Sequence, residues 1–174
     1  MRTRAVKDKQ TVTAEGKLVG PRIEGVVIRY APPVEDRRGE IVEVYRGEWN
    51  VHPDALVYVY QVAVRPGAIK GWVVHEKQDD RIFISRGVFR WVLFDDRLDS
   101  PTYKLLNDFT FSERNRAILV IPHGVFHAVQ NIGTSEAIFI NMPTHPYDHA
   151  DPDKYRLPLD NDVIPFRFDE APGR

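Results

Sequence analysis

Short apolar runs of strand length recur along the middle of this 174-residue chain. They are rich in Val, Ile, Phe and Tyr and are bounded by Pro, Gly and Asp, which is typical of an all-β domain built from hairpins. No long stretch shows a sustained helical period. The segment 99–109 could hold one helical turn, but its Ser-Pro-Thr sequence favours a loop. The runs that we predict as strands are 25–30, 41–45, 56–64, 81–85, 87–94, 116–121 and 137–141.

Size and charge narrow the classes of protein that the chain can belong to. Its length suits one domain with a sizeable core. The 24 Lys and Arg nearly balance the 25 Asp and Glu, for a net charge of -1, so no overall field favours nucleic acid or an anionic membrane. The absence of cysteine excludes disulfides, thiolate zinc sites and a cysteine nucleophile. With no apolar window approaching ~18 residues, we expect a soluble, cytoplasmic protein.

The two ends of the chain differ from its middle. Residues 1–20 are polar and lack periodicity, so we expect an N-terminal arm, either flexible or paired as a strand with a partner subunit. Residues 21–142 hold the predicted strands and should form the β-barrel. Residues 143–174 are rich in Pro and Asp, so we expect an irregular tail that packs over the barrel.

Two histidine-containing segments with ordered glycines resemble the paired signatures of the cupin jelly roll, a double-stranded β-helix. In the first signature this chain has Val73 at the first histidine position and Asp80 at the glutamate position. The second signature is complete. The matching positions are Gly67, Val73, His75, Asp80 and Gly87 in the first segment, and Pro122, Gly124, His127 and Asn131 in the second.

The inward-facing histidines allow two kinds of chemistry. Side chains alternate along a strand, so Val73 and His75 share a face, and the barrel interior is the natural direction for both. His75, Asp80 and His127 could hold a metal ion with water completing the shell. Because one imidazole is replaced by Val73 and the carboxylate is the shorter Asp80, we predict no metal and no cofactor. We interpret His123 as a solvated turn residue.

Without a metal, a barrel lined by His, Asp and Tyr can perform proton transfer. A hydrogen beside a ketone becomes removable when cationic or hydrogen-bonding groups stabilise the enolate oxygen. Side chains of the right type are Lys70, Arg81, Tyr58, Tyr60 and Tyr147.

Ordered motifs from about residue 24 to residue 166 resemble the dTDP-4-dehydrorhamnose 3,5-epimerase family. Asp36-Arg-Arg38-Gly39-Glu-Ile-Val-Glu43 is similar to its D-x-R-G-x-F-x-E segment, and Lys70-Gly-Trp-Val73 falls where that family has R-G-L-H. The remaining matches are Ser100-Pro-Thr-Tyr103 to S-P-T-F, Ile121 to His127 to I-P-x-G-F-A-H, Tyr147 to a family tyrosine, and Asp160-Asn-Asp162 to a late W-N-D-P segment.

The resemblance implies a dimeric cupin that binds a dTDP-linked 4-keto-6-deoxyhexose and works through enolate intermediates without metal. It implies that Arg38, Glu43 and Lys70 hold the nucleotide, and a pyrophosphate does need local positive charge in a chain of near-zero net charge. It also implies that Tyr147 is the general acid, that His127 faces inward, and that Asp160 or Asp162 supports the base.

The catalytic base is the point at which the chain departs from this family. At the position of the family's catalytic histidine this chain has Val73. At the position of the family's lysine it has Asp80, which reverses the charge. Cupin ketoisomerases of dTDP-4-keto-6-deoxyglucose have R-G-x-H-x-H here, and His75 falls on their second histidine. Both reactions begin with proton abstraction beside a ketone, so His75 is our candidate base.

We therefore predict a dTDP-sugar epimerase or ketoisomerase that acts by proton abstraction, with a small-molecule partner and a homodimer as the assembly. An edge such as 56–64 gains from a second copy that covers it. The alternatives are a nucleotide-sugar-binding cupin with reduced catalysis and a metal-dependent cupin using His75 and His127. The predicted catalytic residues are His75, Tyr147, Asp160 and His127, and the predicted substrate-binding residues are Arg38, Glu43, Lys70, Tyr60 and Arg81.

Overall fold

The computed structural model describes residues 6–14 and 18–168, and within them the fold is antiparallel β with two short 3₁₀ helices, Gly47–Trp49 and Glu113–Asn115. Two five-stranded sheets have the orders β1-β9-β6-β11-β4 and β12-β5-β10-β7-β8, and β2 and β3 form a separate hairpin. The strands are β1 (Val27–Tyr30), β2 (Val34–Asp36), β3 (Gly39–Ile41), β4 (Tyr60–Val64), β5 (Ile69–Val74), β6 (Asp80–Arg86), β7 (Val88–Asp95), β8 (Leu106–Ser112), β9 (Ala117–Ile121), β10 (Val125–Asn131), β11 (Ala137–Asn141) and β12 (Tyr155–Arg156).

The main core fills the space between the two large sheets. Alternate residues of β6 and β9 point into it from one sheet, and alternate residues of β7 meet them from the other. This interior is apolar and aromatic, and the burial of apolar surface is the main contribution to the stability of such a domain. Its most deeply buried members are Ile82, Ile84, Phe89, Trp91, Leu93, Phe111, Leu119 and Ile121.

The outer faces of both sheets are also covered, which explains why some strands are apolar at consecutive positions. All five residues of β9 are buried, because Ile118 and Val120 pack outward beneath the irregular segment 42–51. On the other sheet, Trp72, Val92 and Phe94 form a cluster with Ile164 and neighbouring residues of the C-terminal segment. Two layers of chain therefore shield the barrel from water.

Three of the predicted elements differ from the structure. Of the run 41–45 only Ile41 is in a strand, because Val42 and Val44 pack singly onto the sheet instead of pairing. The run 56–64 begins its strand at Tyr60. The segment 99–109, predicted as a loop, contains the start of β8, whose buried Asn107 bonds the backbone at Pro21 and Ile23.

The chain ends run along the outside of the sandwich. The predicted arm 1–20 is exposed at most of its described positions and forms one isolated bridge between Val12 and Leu18. Residues 1–5, 15–17 and 169–174 lie outside the described part. From residue 143 onward the chain crosses the second sheet, and β12 pairs with the edge strand β5. Among the described residues, no helix has the length and hydropathy needed to cross a membrane.

Strands β5 and β10 approach each other closely at Gly71. Its φ of +155° is rarely adopted by other residues, and an added Cβ would overlap with Ala128. Only glycine suits this position. The close approach holds the two strands that present His75 and His127.

A buried carboxylate explains the Ser-Pro-Thr motif. Asp95 is 0% exposed, and it accepts hydrogen bonds from Arg97, Ser100 and Thr102. Thr102 in turn accepts from the backbone of Glu24. Burial raises the pKa of Asp95, but these hydrogen bonds lower it more, so the pKa lies well below its usual range. The motif thus ties the turn before β8 to the chain leading into β1.

We expect Asp95→Asn to lower the free energy of unfolding by about 2–4 kcal/mol, because it removes a buried anion and leaves the half-buried guanidinium of Arg97 and two half-buried hydroxyls poorly paired. The folded pKa is depressed, so this contribution is present above about pH 4 and is lost as the pH falls further. Urea denaturation at neutral and acidic pH measures the difference. The exposed pair of Asp96 with Lys104 provides the control, since Asp96→Asn should cost under about 1 kcal/mol.

Candidate active site

A cavity of about 120 Å³ opens into the sandwich and is lined by residues from both large sheets and from the C-terminal segment. Its lining combines apolar side chains with several polar and charged groups. Such a combination is typical of small-molecule sites. The lining residues are Tyr60, Val62, Lys70, Val73, His75, Asp80, Ile82, Trp91, His127, Val129, Phe139, Asn141 and Lys154.

The inner end of the cavity holds a cluster of two imidazoles and one carboxylate. His75 follows β5, Asp80 begins β6 and His127 lies on β10. Nε2 of His75 is 3.4 Å and Nε2 of His127 is 3.5 Å from Oδ2 of Asp80. The two rings lie with their centroids 5.5 Å apart. The inward direction that the sequence predicts for His75 and His127 is therefore observed.

Both imidazoles turn the same nitrogen toward the cavity. The Nδ1 atom of His75 bonds the carbonyl oxygen of Asp153, and the Nδ1 atom of His127 bonds that of Val125. A carbonyl only accepts, so each Nδ1 carries the proton when the ring is neutral. Each Nε2 then has a lone pair directed at the region around Asp80.

Asp80 is held by amides as well as by the imidazoles. Its side chain is 3% exposed, and its Oδ1 accepts hydrogen bonds from Gln78 at 3.1 Å and Asn141 at 3.0 Å. These amides compensate for part of the cost of burying a carboxylate. They leave Oδ2 as the oxygen that faces the two imidazoles.

The electrostatics of the cluster separate the two histidines. Burial raises the pKa of Asp80, but the hydrogen bond from His75 and the charges of the imidazoles lower it to about 2. Burial lowers the pKa of His75, but Asp80 and the Asp153 carbonyl raise it above its ordinary value. Burial lowers the pKa of His127 to about 4. At neutral pH, Asp80 is thus an anion, His127 is neutral, and His75 is the ring that accepts a proton more readily.

Two lysines lie at the outer end of the same cavity. Lys70 on β5 and Lys154 from the C-terminal segment both line it and are both exposed. The pKa of Lys154 is lowered by burial and by the nearby charges of Arg156 and Lys70. The mouth is therefore a region of positive potential, whereas the inner end contains the carboxylate.

The tyrosine inside the cavity is Tyr60. Its hydroxyl accepts a hydrogen bond from Asn141 at 2.8 Å, and its pKa is raised to about 12, first by burial and then by the charge of Asp80. Tyr147, predicted as the acid, is 44% exposed, makes an edge-to-face contact with His149 and lines an adjoining cavity. Gln78 lines that second cavity and bonds Asp80, so it separates the two spaces.

Two polar atoms of the main cavity's lining residues have no hydrogen-bond partner within the described part of the chain. They are the indole nitrogen of Trp91 and Oδ1 of Asn141. Buried groups of this kind are usually satisfied by protein, water or a ligand. One is a donor and the other an acceptor, and both belong to residues that also line the cavity.

Arg81, predicted to bind substrate, does not line the cavity. Its side chain is 0% exposed, and it faces away from Asp80 because neighbouring residues of a strand alternate sides. Its guanidinium donates to the backbone carbonyls of Met142, Asp54, Ala55 and Pro143. Arg81 therefore ties the segments 54–55 and 142–143 to β6.

Three further predicted site residues lie away from the cavity lining. Arg38 is at the tip of the β2–β3 hairpin with its side chain 84% exposed and pairs with Asp36. Glu43 pairs with Arg46. Asp160, predicted to support the base, has a side chain 91% exposed and pairs with Arg167. The contact that Asp160 was expected to make with the base is made in this structure by the Asp153 carbonyl.

Several groups of the site could not be recognised from the sequence. Lys154 and Asp153 come from the irregular tail, which has no periodicity that would indicate their direction. Gln78 and Asn141 became site residues only through their bonds to Asp80. Asn141 ends a predicted strand, and alternation along β11 would have placed it on the face of Phe139, which lines the cavity.

The two antiparallel sheets define a cupin jelly roll with a buried cluster of two histidines and one aspartate in its interior. The family model for dTDP-4-dehydrorhamnose 3,5-epimerase matches residues 21–163, which is most of the chain. The chain belongs to that family and is an epimerase-type isomerase by class. The resemblance seen in the ordered sequence motifs and the predicted jelly roll are both confirmed.

Individual relatives agree with this assignment. The probable low-salt glycan biosynthesis epimerase of Haloferax volcanii is 35% identical over 141 residues, which cover 80% of this chain and 90% of that protein. This chain is also similar to the crystal structure of a dTDP sugar isomerase from Desulfovibrio desulfuricans G20, with a TM-score of 0.77 and 24% identity. The match covers 83% of this chain and 90% of that chain, and it shows the fold.

A third relative is a double mutant of a 3'-monoepimerase from Streptomyces bikiniensis, solved in complex with dTDP. It has a TM-score of 0.71 at 25% identity, over 81% of this chain and 73% of its own. The Desulfovibrio structure shows the shared fold. The Streptomyces structure also contains a nucleotide, dTDP, bound to that protein.

Proposed function

We propose that the protein epimerises or isomerises a dTDP-linked 4-keto-6-deoxyhexose by removing a proton from the carbon beside the ketone. The single observation behind the mechanism is the His75–Asp80–His127 cluster at the inner end of a cavity whose mouth is cationic. Family membership supports the substrate class. The dTDP bound to the Streptomyces relative agrees with a nucleotide at such a mouth.

In the first step, Nε2 of His75 takes the proton, and the electrons of the C–H bond move to form the enolate. The base is well placed because its Nδ1–H is already held by the Asp153 carbonyl, which leaves Nε2 as the accepting atom. Asp80 then stabilises the resulting imidazolium. An enzyme gains most from such preorganised charges where charge develops.

In the second step, a proton returns to the same carbon from the opposite face, which inverts it. Alternatively, the hydroxyl proton of that carbon passes to the enolate oxygen and a proton is added to the former ketone carbon, which moves the ketone. We propose Tyr60 as the proton donor, since it lines the cavity and its raised pKa keeps the phenol protonated. Tyr147 remains a prediction as an acid, because it would reach the sugar only past Gln78. His127 would stay neutral beside the reacting atoms.

The diphosphate of the substrate would lie against Lys70 and Lys154. Two ammonium groups at one opening suit a dianionic group, and their mutual repulsion is relieved when an anion binds. Arg38 and Glu43, on or beside the exposed hairpin, stay predictions as nucleotide contacts. The enolate oxygen would gain from the same positive potential that attracts the phosphates.

A metal-dependent mechanism is a second candidate, because the cluster also has the spacing of metal ligands. The ligand atoms of His75, Asp80 and His127 all lie within 4.8 Å of one another. Both Nδ1 atoms donate to backbone carbonyls, which is how metal-bound imidazoles are usually oriented. Two imidazoles and one carboxylate can hold a divalent cation with open positions, and such a cation would supply Lewis-acid activation of the ketone.

We expect His75→Ala to abolish solvent-deuterium incorporation into the sugar of a dTDP-4-keto-6-deoxyhexose while leaving dTDP affinity within about twofold, because the mouth is untouched. Mass spectrometry of the sugar and calorimetry with dTDP measure the two effects. The matched control is His123→Ala, whose side chain is 58% exposed and pairs with Asp79. Exchange that persists in the His75 variant would remove this residue from the mechanism.

Metal content separates the two mechanisms. The proton-transfer mechanism predicts far less than one metal ion per chain and exchange that survives treatment with EDTA. The metal mechanism predicts about one ion of Fe, Mn, Ni or Zn per chain. Inductively coupled plasma mass spectrometry of protein purified without chelator decides this. Stoichiometric metal that is lost in His127→Ala would establish the second candidate.

We also propose that the active form is a cytoplasmic homodimer. The chain before β4 exposes apolar side chains, with Leu56 at 42%, Val57 at 54% and Val59 at 50%, and β4 is an edge strand. A second copy would cover both. Sedimentation velocity at micromolar concentration should show a dimer, and Val57→Lys with Val59→Lys should shift it toward monomer; a wild-type monomer would contradict this assembly.

A further inference from the structure

The turn between β5 and β6 is anchored by a residue that is 75 or more positions away in the sequence. Oδ1 of Asp153 accepts a hydrogen bond from the backbone N–H of Glu76 at 2.8 Å. Its Oδ2 accepts from Lys77 at 2.9 Å and Gln78 at 3.0 Å. One carboxylate thus binds three successive backbone N–H groups, which are charge-assisted bonds of the strong kind.

The same residue contacts the proposed base through its backbone. The carbonyl oxygen of Asp153 accepts the Nδ1–H of His75. Directly after it, Tyr155 and Arg156 form β12, which pairs with Val74 and Val73 of β5. The carboxylate therefore fixes the turn on one side of His75, while β12 fixes the strand on the other.

We infer that Asp153 is the positioning residue of His75: its carboxylate anchors the segment 153–156, and its carbonyl thereby selects the tautomer of His75 in which Nε2 is the accepting nitrogen. This inference rests on the proposed function, in which Nε2 of His75 removes the proton. The same tautomer would be required if Nε2 bound a cation. Asp153 lines the adjoining cavity rather than the main one, so it acts through His75.

The position of Lys154 follows from the same anchor. Lys154 is the next residue in the chain and lines the mouth of the main cavity. Release of Asp153 would therefore disturb both the base and a substrate-binding cation. A test of positioning must separate these effects, which a rate measurement alone cannot do.

The tautomer of His75 can be read directly from the ¹⁵N chemical shifts of its imidazole, recorded while the pH is raised until the shifts stop changing and the ring is neutral. We expect the wild-type ring to carry its proton on Nδ1. In Asp153→Ala we expect a mixture of tautomers and a loss of about 100-fold in the rate of deuterium incorporation, as for other misplaced catalytic groups. Asp153→Asn keeps one acceptor oxygen, so we expect it to retain more of the Nδ1-protonated tautomer and more of the rate of deuterium incorporation than Asp153→Ala.

Two control variants isolate the effect. Lys154→Met should weaken substrate binding and leave the His75 tautomer as in the wild type. Asp99→Ala, at an exposed loop position, should change neither. If Asp153→Ala does not fold, Asp153→Asn and the wild-type shifts still test the inference, because a wild-type ring protonated on Nε2 would overturn it.

The outcomes for the anchor and for the reaction can be told apart. A wild-type tautomer and rate in both Asp153 variants would overturn the positioning role while leaving the proposed function intact. A changed tautomer in a protein whose wild type exchanges no deuterium with any dTDP-ketosugar would support the positioning role and remove the proposed function.

Discussion

The close pairing of β5 with β10 determines where chemistry can occur in this molecule. The backbone of Gly71 lies so near Ala128 that no side chain fits between the strands, and the register sets His127 opposite Val73. Val73, His75 and His127 consequently face the same interior space. Had β5 slipped by one residue in this pairing, Val73 and His75 would have turned to the outer face, where the C-terminal segment packs, while His127 would have stayed inside because β10 is also paired with β7.

The buried carboxylate of Asp80 sets the electrostatic character of that space. A bare charge at this depth would be very unfavourable, and it is tolerated because two amides and two imidazoles surround it. The two histidines respond unequally: burial lowers the pKa of His75 less than its hydrogen bonds with Asp80 and Asp153 raise it, whereas burial outweighs the charge of Asp80 and lowers the pKa of His127. A lysine in place of Asp80 would reverse this preference, so the base at position 75 and the carboxylate at position 80 form one functional unit.

The strand pattern was enough to predict an all-β domain, the resemblance to the paired cupin signatures predicted the jelly roll, and strand alternation then predicted the inward direction of the histidines. These patterns failed where side chains are organised by distant parts of the chain. Asp80 and Arg81 are neighbours in the sequence but point to opposite sides of the sheet. Asp80 faces the cavity, and Arg81 donates to four backbone carbonyls on the other side. Because successive side chains of a strand point to opposite faces, placing Asp80 inside the barrel already implied that Arg81 points away from the cavity. No pattern in the tail indicated Asp153, whose role depends on a turn more than seventy residues earlier.

Val73 is compatible with catalysis because a proton-transfer site needs one well-oriented base rather than a full set of ligands. Its side chain is 7% exposed and lines the cavity beside His75. An apolar neighbour keeps water from competing with the substrate and strengthens the interactions of Asp80 within the site. An imidazole in its place would supply a fourth potential ligand and move the cluster toward cation binding. The substitution of valine at this position therefore favours proton transfer by limiting the number of lone pairs that can converge on a metal.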